Sequence, residues 1–234
     1  MTHDAIKQTM MLAGRVLVAE HQDDMTRGHI SVRLPDNPSL LLMKPHSVGL
    51  DEITLDNILT INLDGEVVAG AARRHSEVFI HTEIYKARPD VQCVLHTHPP
   101  HAIALSATGR PLRAYSQPGA LFRDAIGTFQ ESMTLVRSTA MGAGVARALG
   151  PHRAVLMKNH GVAIATASIA ETVVSAVMLE TAARIQMLVE ATPERGTEFP
   201  TADIAALRDQ LSKPDQFVVN FDYLVRRLTP NRNS

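Results

Sequence analysis

The sequence has one cysteine, no tryptophan and only 4% aromatic residues, and these shortages exclude several kinds of protein. A single cysteine cannot form an internal disulfide, which fits a reducing compartment. Cys93 lies in a mostly apolar run, residues 91–95, and is therefore predicted to be a core residue rather than a reactive thiol. Positive charge is not in excess either. The formal net charge is -1 and lysines and arginines form no block, so a nucleic-acid partner is not expected.

Long apolar runs are also missing. None approaches the roughly 20 residues that a membrane span requires. Charges interrupt residues 1–22, which predict an amphipathic helix rather than a secretion signal. Hydrophobic residues make up 45% and charged residues 20% of the sequence, as in ordinary globular proteins. We therefore expect a soluble, cytoplasmic protein that forms one domain over residues 1–234, with a C-terminal helical tail from about residue 200.

Hydrophobic periodicity and turn residues predict both strands and helices along the chain. Strands are predicted at residues 29–34, 40–43, 58–63, 67–69, 91–96, 132–137, 154–158 and 162–165. Helices are predicted at residues 2–20, 76–87, 101–107, 141–149, 168–191 and 201–212, followed by a tail that reaches Tyr223. Most strands come in hairpins, the clearest being the one around Asp64-Gly65. This order predicts an α/β fold with a central, largely antiparallel sheet flanked by helices.

Histidine is abundant, with 11 copies, and three of them form a pattern. His96-Thr97-His98 ends a predicted strand, where side chains two residues apart share a face and their Cα atoms lie about 6.5 Å apart. His160 lies between two apolar strands, and the glycine after it permits a tight bend that frees the imidazole. Three neutral imidazoles leave open positions on a bound cation, which is typical of catalytic rather than structural sites.

Other interpretations of these histidines were weighed on the residues alone. Each could be an ordinary core or turn residue, which is the common case for a lone histidine. The motif His-x-His-x-Asp-His of metallo-β-lactamase-like hydrolases would need an aspartate where this chain has Pro100, which cannot bind a metal. His101 follows two prolines that turn the chain away, so it is not counted among the predicted ligands.

Several motifs occur in a fixed order along the chain. They are Gly28-His29-Ile30-Ser31-Val32-Arg33, Asp64-Gly65-Glu66, Ser76-Glu77 with His81, residues 84–91, Val94-Leu95-His96-Thr97-His98 and Asn159-His160-Gly161. Together they resemble the class II aldolase/adducin family, over residues 5–192. The resemblance implies a three-layer α/β/α fold with one divalent cation per subunit on His96, His98 and His160. It implies that Glu77 is the acid/base residue and can also serve as a fourth ligand. It further implies a homotetramer with active sites at subunit interfaces, towards which Tyr115 would extend from a neighbouring subunit.

This chain departs from the sugar-phosphate aldolases of the family at residues that would touch the substrate. Those aldolases hold phosphate with an asparagine and a serine at the positions of His29 and His75, and with a loop that corresponds to residues 44–49. Small amide and hydroxyl donors suit a compact phosphate, whereas larger basic groups suit carboxylates on a flat ring. The predicted substrate-binding residues are His29, Lys44, His46, Arg74, His75, Ser76 and Tyr115.

These departures resemble the decarboxylase branch of the family. The branch implies a hydroxylated aromatic dicarboxylate as substrate, first 3-hydroxy-2-methylpyridine-4,5-dicarboxylate of vitamin B6 degradation and second a dihydroxyphthalate. Mn2+ is the expected cation and Zn2+ the next choice, since imidazoles discriminate poorly between them. Because a metal-stabilised enolate serves either reaction, a class II aldolase or epimerase acting on a sugar phosphate is the alternative. A non-enzymatic scaffold like the adducin head would not need three metal-ligand histidines.

Overall fold

Strands and helices alternate along the computed structural model, which describes residues 2–228. Within that span the strands are β1 (His29–Arg33), β2 (Leu40–Met43), β3 (Leu59–Asn62), β4 (Val67–Ala69), β5 (Cys93–Thr97), β6 (Gly127–Phe129), β7 (Ala154–Met157) and β8 (Gly161–Thr166). The helices are α1 (His3–Ala19), α2 (Val78–Ala87), α3 (Pro100–Thr108), α4 (Gln117–Phe122), α5 (Thr139–Leu149), α6 (Ile169–Glu190), α7 (Thr201–Leu211) and α8 (Pro214–Arg227). Met1 and the end of the predicted tail, residues 229–234, lie outside the described residues.

The strands form one sheet in the order β4-β3-β2-β1-β5-β8-β7-β6. Every neighbouring pair is antiparallel except β6 and β7, which run parallel. Hairpins connect β1 to β2, β3 to β4 and β7 to β8, as the turn residues predict. The prediction of an α/β fold around a largely antiparallel sheet is therefore confirmed.

Side chains alternate between the two faces of the sheet, as in β5. Cys93 and Leu95 are fully buried in a cluster with residues of α1, α6 and α8, whereas Val94 is buried in a second cluster with residues of α2 and α5. Helices therefore cover both faces, which gives the three-layer arrangement. Burial raises the pKa of the Cys93 thiol to about 12, so this residue is an inert part of the core, as predicted.

Helix α6 is long and apolar enough to cross a membrane by length and composition alone. The expectation that no segment approaches such a length is therefore wrong on those two criteria. Half of the apolar stretch is buried within the protein, where α6 packs against α1, α3, α4 and α8 and against strands β5 and β8. These contacts are those of a core helix.

Residues 132–137 form an irregular loop, so the strand predicted there is wrong. The N–H of Thr134 donates to Oγ of Ser132 at 3.1 Å, which is a local turn interaction. The N–H of Val136 donates to a carboxylate oxygen of Glu77 at 2.8 Å instead of to a neighbouring strand. The strand of this region is β6, which lies earlier in the chain.

Two helices lie where the sequence predicts only loop or tail. Helix α4 contains proline and glycine, but Oγ of Ser116 accepts the N–H of Gly119 at 3.2 Å and caps it. Helix α8 replaces most of the predicted tail. Its first residue is Pro214, a position that proline tolerates, and Phe217 and Phe221, four residues apart, are buried against the core.

Candidate metal and substrate site

Three strand ends meet at one edge of the sheet and carry the candidate site. Strand β1 begins at His29, β5 carries His96 near its end, and the turn between β7 and β8 contains His160. Because β1 and β5 are antiparallel neighbours, His29 lies directly opposite His96. On the other side of β5, His96 pairs with the small residue Ala163 of β8. Helix α2 begins beside Glu77 and covers this face of the strands.

The three predicted metal ligands come together. Nε2 of His98 lies 3.0 Å from Nε2 of His96. The ring centroid of His160 is 5.0 Å from that of His96 and 5.4 Å from that of His98. One nitrogen from each ring lies within 4.8 Å of the other two. Two nitrogens bound at about 2.1 Å to one ion are about 3.0–3.4 Å apart, so this cluster has the spacing of a chelate.

The hydrogen bonds of these rings leave lone pairs free for a cation. Nδ1 of His96 donates to the carbonyl oxygen of Val162 at 2.9 Å, which fixes the tautomer and leaves Nε2 unprotonated. Both ring nitrogens of His160 are buried without a hydrogen-bond partner among the described residues. Buried polar atoms are rarely left unpaired, so this donor set fits a divalent cation.

The turn before β8 differs from the sequence expectation. The residue in the left-handed conformation is Asn159, with a φ of 57°, and not the glycine that follows His160. Gly161 is needed for space, because a Cβ there would lie 2.4 Å from the carbonyl oxygen of Thr97 and 2.7 Å from Cδ2 of His98. The missing side chain therefore lets β8 approach the metal ligands closely.

We expect Gly161→Ala to weaken metal binding and to lower the free energy of unfolding. The added methyl group must displace either the backbone at Thr97 or the ring of His98. Overpacking of this kind costs about 1–3 kcal/mol. Chemical denaturation of the metal-free protein measures the stability, and titration with Mn2+ measures the affinity. Wild-type values for both would show that the strand can shift at no cost.

Glu77 lies between the histidines and the start of α2. Its Oε1 accepts the N–H of Val136 at 2.8 Å and lies 3.5 Å from Nε2 of His160, while Oε2 lies 3.9 Å from Nε2 of His96. Burial raises the pKa of this carboxyl group, but the two imidazoles and the Val136 N–H together outweigh burial and lower the pKa to about 2. Glu77 is therefore a carboxylate before substrate binds, and it must receive a proton before it can act as an acid.

A row of basic side chains continues from the metal ligands. Ring centroids are 5.0 Å apart for His96 and His29, 4.4 Å for His29 and His75, and 5.1 Å for His75 and His46. Nζ of Lys44 lies 3.1 Å from Nε2 of His75. Four of the predicted substrate residues are therefore continuous with the candidate metal site.

Lys44 is fully buried, and all three of its ammonium protons have acceptors. They go to the carbonyl oxygens of Thr26 at 3.2 Å and Pro45 at 3.1 Å, and to Nε2 of His75 at 3.1 Å. Burial lowers the pKa of Lys44 to about 8. Burial and the nearby ammonium group lower the pKa of His75 to about 3. Lys44 therefore acts on the pocket through neutral His75, since it has no proton left for a substrate carboxylate.

Arg74 and Ser76 flank His75 and are both half-buried. Nη1 of Arg74 donates to the carbonyl oxygen of His75 at 2.9 Å, and its guanidinium lies 5.6 Å from the ring centroid of Phe79. One hydrogen bond to a carbonyl leaves most of the guanidinium protons available. Arg74 is therefore the predicted substrate residue that retains a charge and free donors.

Tyr115 lies against the segment that follows α6. A Cβ on Gly196 would be 2.9 Å from Cε1 of Tyr115, and the ring lines a cavity together with Arg110 and Glu190. Its predicted extension into the site of a neighbouring subunit stays a prediction.

Three groups at the site are not among the predicted site residues. Oδ2 of Asp24 lies 3.2 Å from Nδ1 of His98, and Nε2 of His81 lies 2.6 Å from Nδ1 of His29. The third is the main-chain N–H of Val136. His81 is part of the family motif and could have been found from it. Asp24 lies in a loop and Val136 contributes only backbone, so neither has a sequence signal.

His101 faces away from the cluster, as the two preceding prolines predict. Its Nδ1 lies 2.6 Å from Oε1 of Glu180 on α6. The same carboxylate accepts the N–H groups of His101 and Ala102 and thereby caps the start of α3.

Comparison with known proteins gives the same family. The chain matches the Class II Aldolase and Adducin N-terminal domain over residues 8–187. It is 30% identical over 220 residues to 3,4-dihydroxyphthalate decarboxylase from Arthrobacter keyseri, covering 89% of this chain and 88% of that protein. It is 32% identical over 193 residues to 4-hydroxy-3-prenylphenylpyruvate oxygenase/4-hydroxy-3-prenylbenzoate synthase from Streptomyces roseochromogenus subsp. oscitans, covering 80% of this chain and 68% of that protein.

Among solved structures, the fold is similar to that of L-fuculose 1-phosphate aldolase from Glaciozyma antarctica PI12. The TM-score is 0.86 at 23% sequence identity, covering 96% of this chain and 88% of the other. Decarboxylases and aldolases are both carbon–carbon lyases, which confirms the predicted enzyme class. This chain therefore belongs to the class II aldolase/adducin family, in its decarboxylase branch.

Proposed function

We propose that this protein is a metal-dependent decarboxylase of a hydroxylated aromatic dicarboxylate. The observation that carries the proposal is the row of His29, His75 and His46 beside His96, because flat imidazole rings adjoin the candidate cation ligands. A planar substrate can stack on such rings while its oxygen atoms reach the cation. A compact sugar phosphate is instead best held by small amide and hydroxyl donors, which this row lacks.

The first substrate in this proposal is 3-hydroxy-2-methylpyridine-4,5-dicarboxylate, and the second is a dihydroxyphthalate. Both have a hydroxyl group next to one carboxylate and a second carboxylate beside it on a flat ring. The 30% identity to a 3,4-dihydroxyphthalate decarboxylase supports this class of substrate. Arg74, with its free donors, would bind the carboxylate that stays on the ring through charge-assisted hydrogen bonds.

A divalent cation on His96, His98 and His160 would act as a Lewis acid for the negative charge that develops on the ring oxygen. The carboxylates of the substrate oppose the charge of Glu77, so Glu77 takes up a proton from water as the substrate binds. Glu77 then donates that proton to the ring carbon that bears the leaving carboxylate. The carbon–carbon bond breaks, CO2 leaves, and the electron pair of that bond restores the aromatic ring.

We further propose Mn2+ as the native cation, Zn2+ being the next choice, and a homotetramer as the assembly. Imidazole nitrogens with a nearby carboxylate are acceptable ligands for either metal. Exposed apolar side chains at Val68 on the edge strand β4 and at Leu188 near the end of α6 offer surface for contact between copies. Tyr115 lies close to that end of α6, which is consistent with a location at an interface.

A class II aldolase or epimerase acting on a sugar phosphate is the second candidate. The observation in its favour is that the three histidines and Glu77 suit any reaction that leaves negative charge on a substrate oxygen. Retro-aldol cleavage makes the same demand as decarboxylation. The two candidates therefore differ in the substrate that the rest of the pocket accepts.

CO2 release and aldol cleavage separate these candidates. We expect the Mn2+-loaded protein to release CO2 from 3-hydroxy-2-methylpyridine-4,5-dicarboxylate or from 3,4-dihydroxyphthalate and to leave L-fuculose 1-phosphate intact. The His101→Ala variant is a matched control, because it removes a histidine outside the site. Cleavage of the sugar phosphate with no CO2 from either ring acid would overturn the proposal.

A further inference from the structure

A buried chain of hydrogen bonds leads from the candidate site into the core. Nδ1 of His29 lies 2.6 Å from Nε2 of His81, and Nδ1 of His81 lies 2.6 Å from Oγ of Ser31. Oγ of Ser31 lies 3.1 Å from the hydroxyl oxygen of Tyr85. All four side chains are essentially inaccessible to water. Each proton in the chain must therefore be placed between two protein atoms.

The tyrosine sets the direction of the chain. The hydroxyl of Tyr85 has one proton, and it donates that proton to the backbone carbonyl oxygen of Ser31 at 2.9 Å. The other close carbonyl, that of Gln92 at 3.5 Å, is also only an acceptor. The hydroxyl of Ser31 must then donate to the oxygen of Tyr85, so Oγ of Ser31 accepts from Nδ1 of His81. Neutral His81 consequently accepts at Nε2 from Nδ1 of His29.

This direction leaves Nε2 of His29 without a proton. That nitrogen is buried and has no hydrogen-bond partner among the described residues. A nitrogen of His29 lies within 4.8 Å of a carboxylate oxygen of Glu77 and a nitrogen of His96, so the free atom is at the reaction site. A lone pair there cannot bind a carboxylate, which has no proton to offer. It needs a hydrogen-bond donor on the ligand.

We propose that Nε2 of His29 accepts the hydrogen bond of the substrate's ring hydroxyl, and that Tyr85, Ser31 and His81 are positioning residues that hold His29 in this tautomer. The inference rests on the proposed function, since it assigns the atom that recognises the hydroxyl group. It revises the expectation that His29 binds a carboxylate. Tyr85 is itself held in place, because Nη2 of Arg33 donates to its carbonyl oxygen at 2.7 Å.

The hydroxyl-binding role can be measured without turnover. The ligands are 3-hydroxybenzoate, which is the product expected from a hydroxyphthalate, benzoate, and 3-fluorobenzoate, whose substituent is small but has no proton. Calorimetry on the Mn2+-loaded wild-type protein should show 3-hydroxybenzoate binding about 5- to 150-fold more tightly than the other two. That range follows from leaving one buried acceptor unsatisfied.

The positioning residues are tested with Tyr85→Phe and Ser31→Ala. In Tyr85→Phe the serine hydroxyl loses its acceptor and can turn towards His81, so the chain can reverse and protonate Nε2 of His29. The preference for 3-hydroxybenzoate should then fall towards one, with metal content unchanged. Tyr223→Phe is the matched control, because Tyr223 is exposed on α8, and its preference should equal that of the wild type.

Several results would overturn the inference. They are equal or undetectable binding of the three acids to the wild type, an undiminished preference in both chain variants, and loss of the cation in His29→Asn, which would make His29 a metal ligand. The outcomes also separate this inference from the proposed function. CO2 release without a hydroxyl preference would remove the inference alone. A hydroxyl preference that depends on Tyr85, without CO2 release from any ring acid, would remove the proposed reaction alone.

Discussion

Replacing His160 by alanine is expected to abolish metal binding and CO2 release together. The imidazole of His160 is buried and makes no hydrogen bond among the described residues. Its removal therefore deletes a ligand without breaking another polar interaction. A metal acting as a Lewis acid contributes several kcal/mol to the stability of the transition state. At 1.36 kcal/mol per tenfold change, kcat should fall by roughly 10²-fold or more.

Elemental analysis and the CO2 assay should fall in parallel for His160→Ala and His96→Ala. His96→Ala also removes the hydrogen bond to the carbonyl oxygen of Val162, so it should lower the thermal unfolding temperature more than His160→Ala. His101→Ala should keep both metal and activity, because His101 pairs with Glu180 away from the site. Full activity of metal-free wild-type protein would contradict the metal's role.

The metal ligands could be predicted from sequence because their signal is local. Two histidines separated by one residue at the end of a strand share a face by strand geometry alone. His160 stands out because it interrupts two apolar strands with a turn. The error concerned only how the turn is made. Asn159 has the positive φ, while Gly161 provides space for the neighbouring strand, and that space is visible only once β5 and β8 are paired.

The function of the basic residues could not be predicted, because it depends on contacts between distant segments. His29 faces His96 only through the register of β1 against β5, and composition does not fix register. Lys44 reads as an exposed basic residue, yet its three protons are all used inside the protein. The loop at residues 132–137 reads as a strand because its pattern is apolar. It instead presents the Val136 N–H to Glu77, an interaction between main chain and a distant side chain.

Replacing Glu77 by glutamine is expected to lower kcat by about 10²- to 10⁴-fold, the usual contribution of a general acid–base group. The change is nearly isosteric. The side-chain oxygen of glutamine can still accept the N–H of Val136, so the fold and the loop at residues 132–137 should persist. What disappears is the group that takes a proton from water and delivers it to the ring carbon. The unfolding temperature should consequently stay near that of the wild type.

The matched control for Glu77→Gln is Glu83→Gln, since both glutamates are largely buried and close in sequence at α2. Glu83 pairs with Lys86 at 3.0 Å, and a pair of this kind contributes only about 0–1 kcal/mol, so kcat should be unaffected. Metal content separates two roles for Glu77. If the cation stays bound in Glu77→Gln while turnover falls, Glu77 moves the proton and is not needed as a ligand. If the cation is lost, Glu77 is also a ligand, and kcat must be compared at saturating Mn2+. A near wild-type kcat under saturation would mean that another group protonates the ring, because the glutamine side chain cannot.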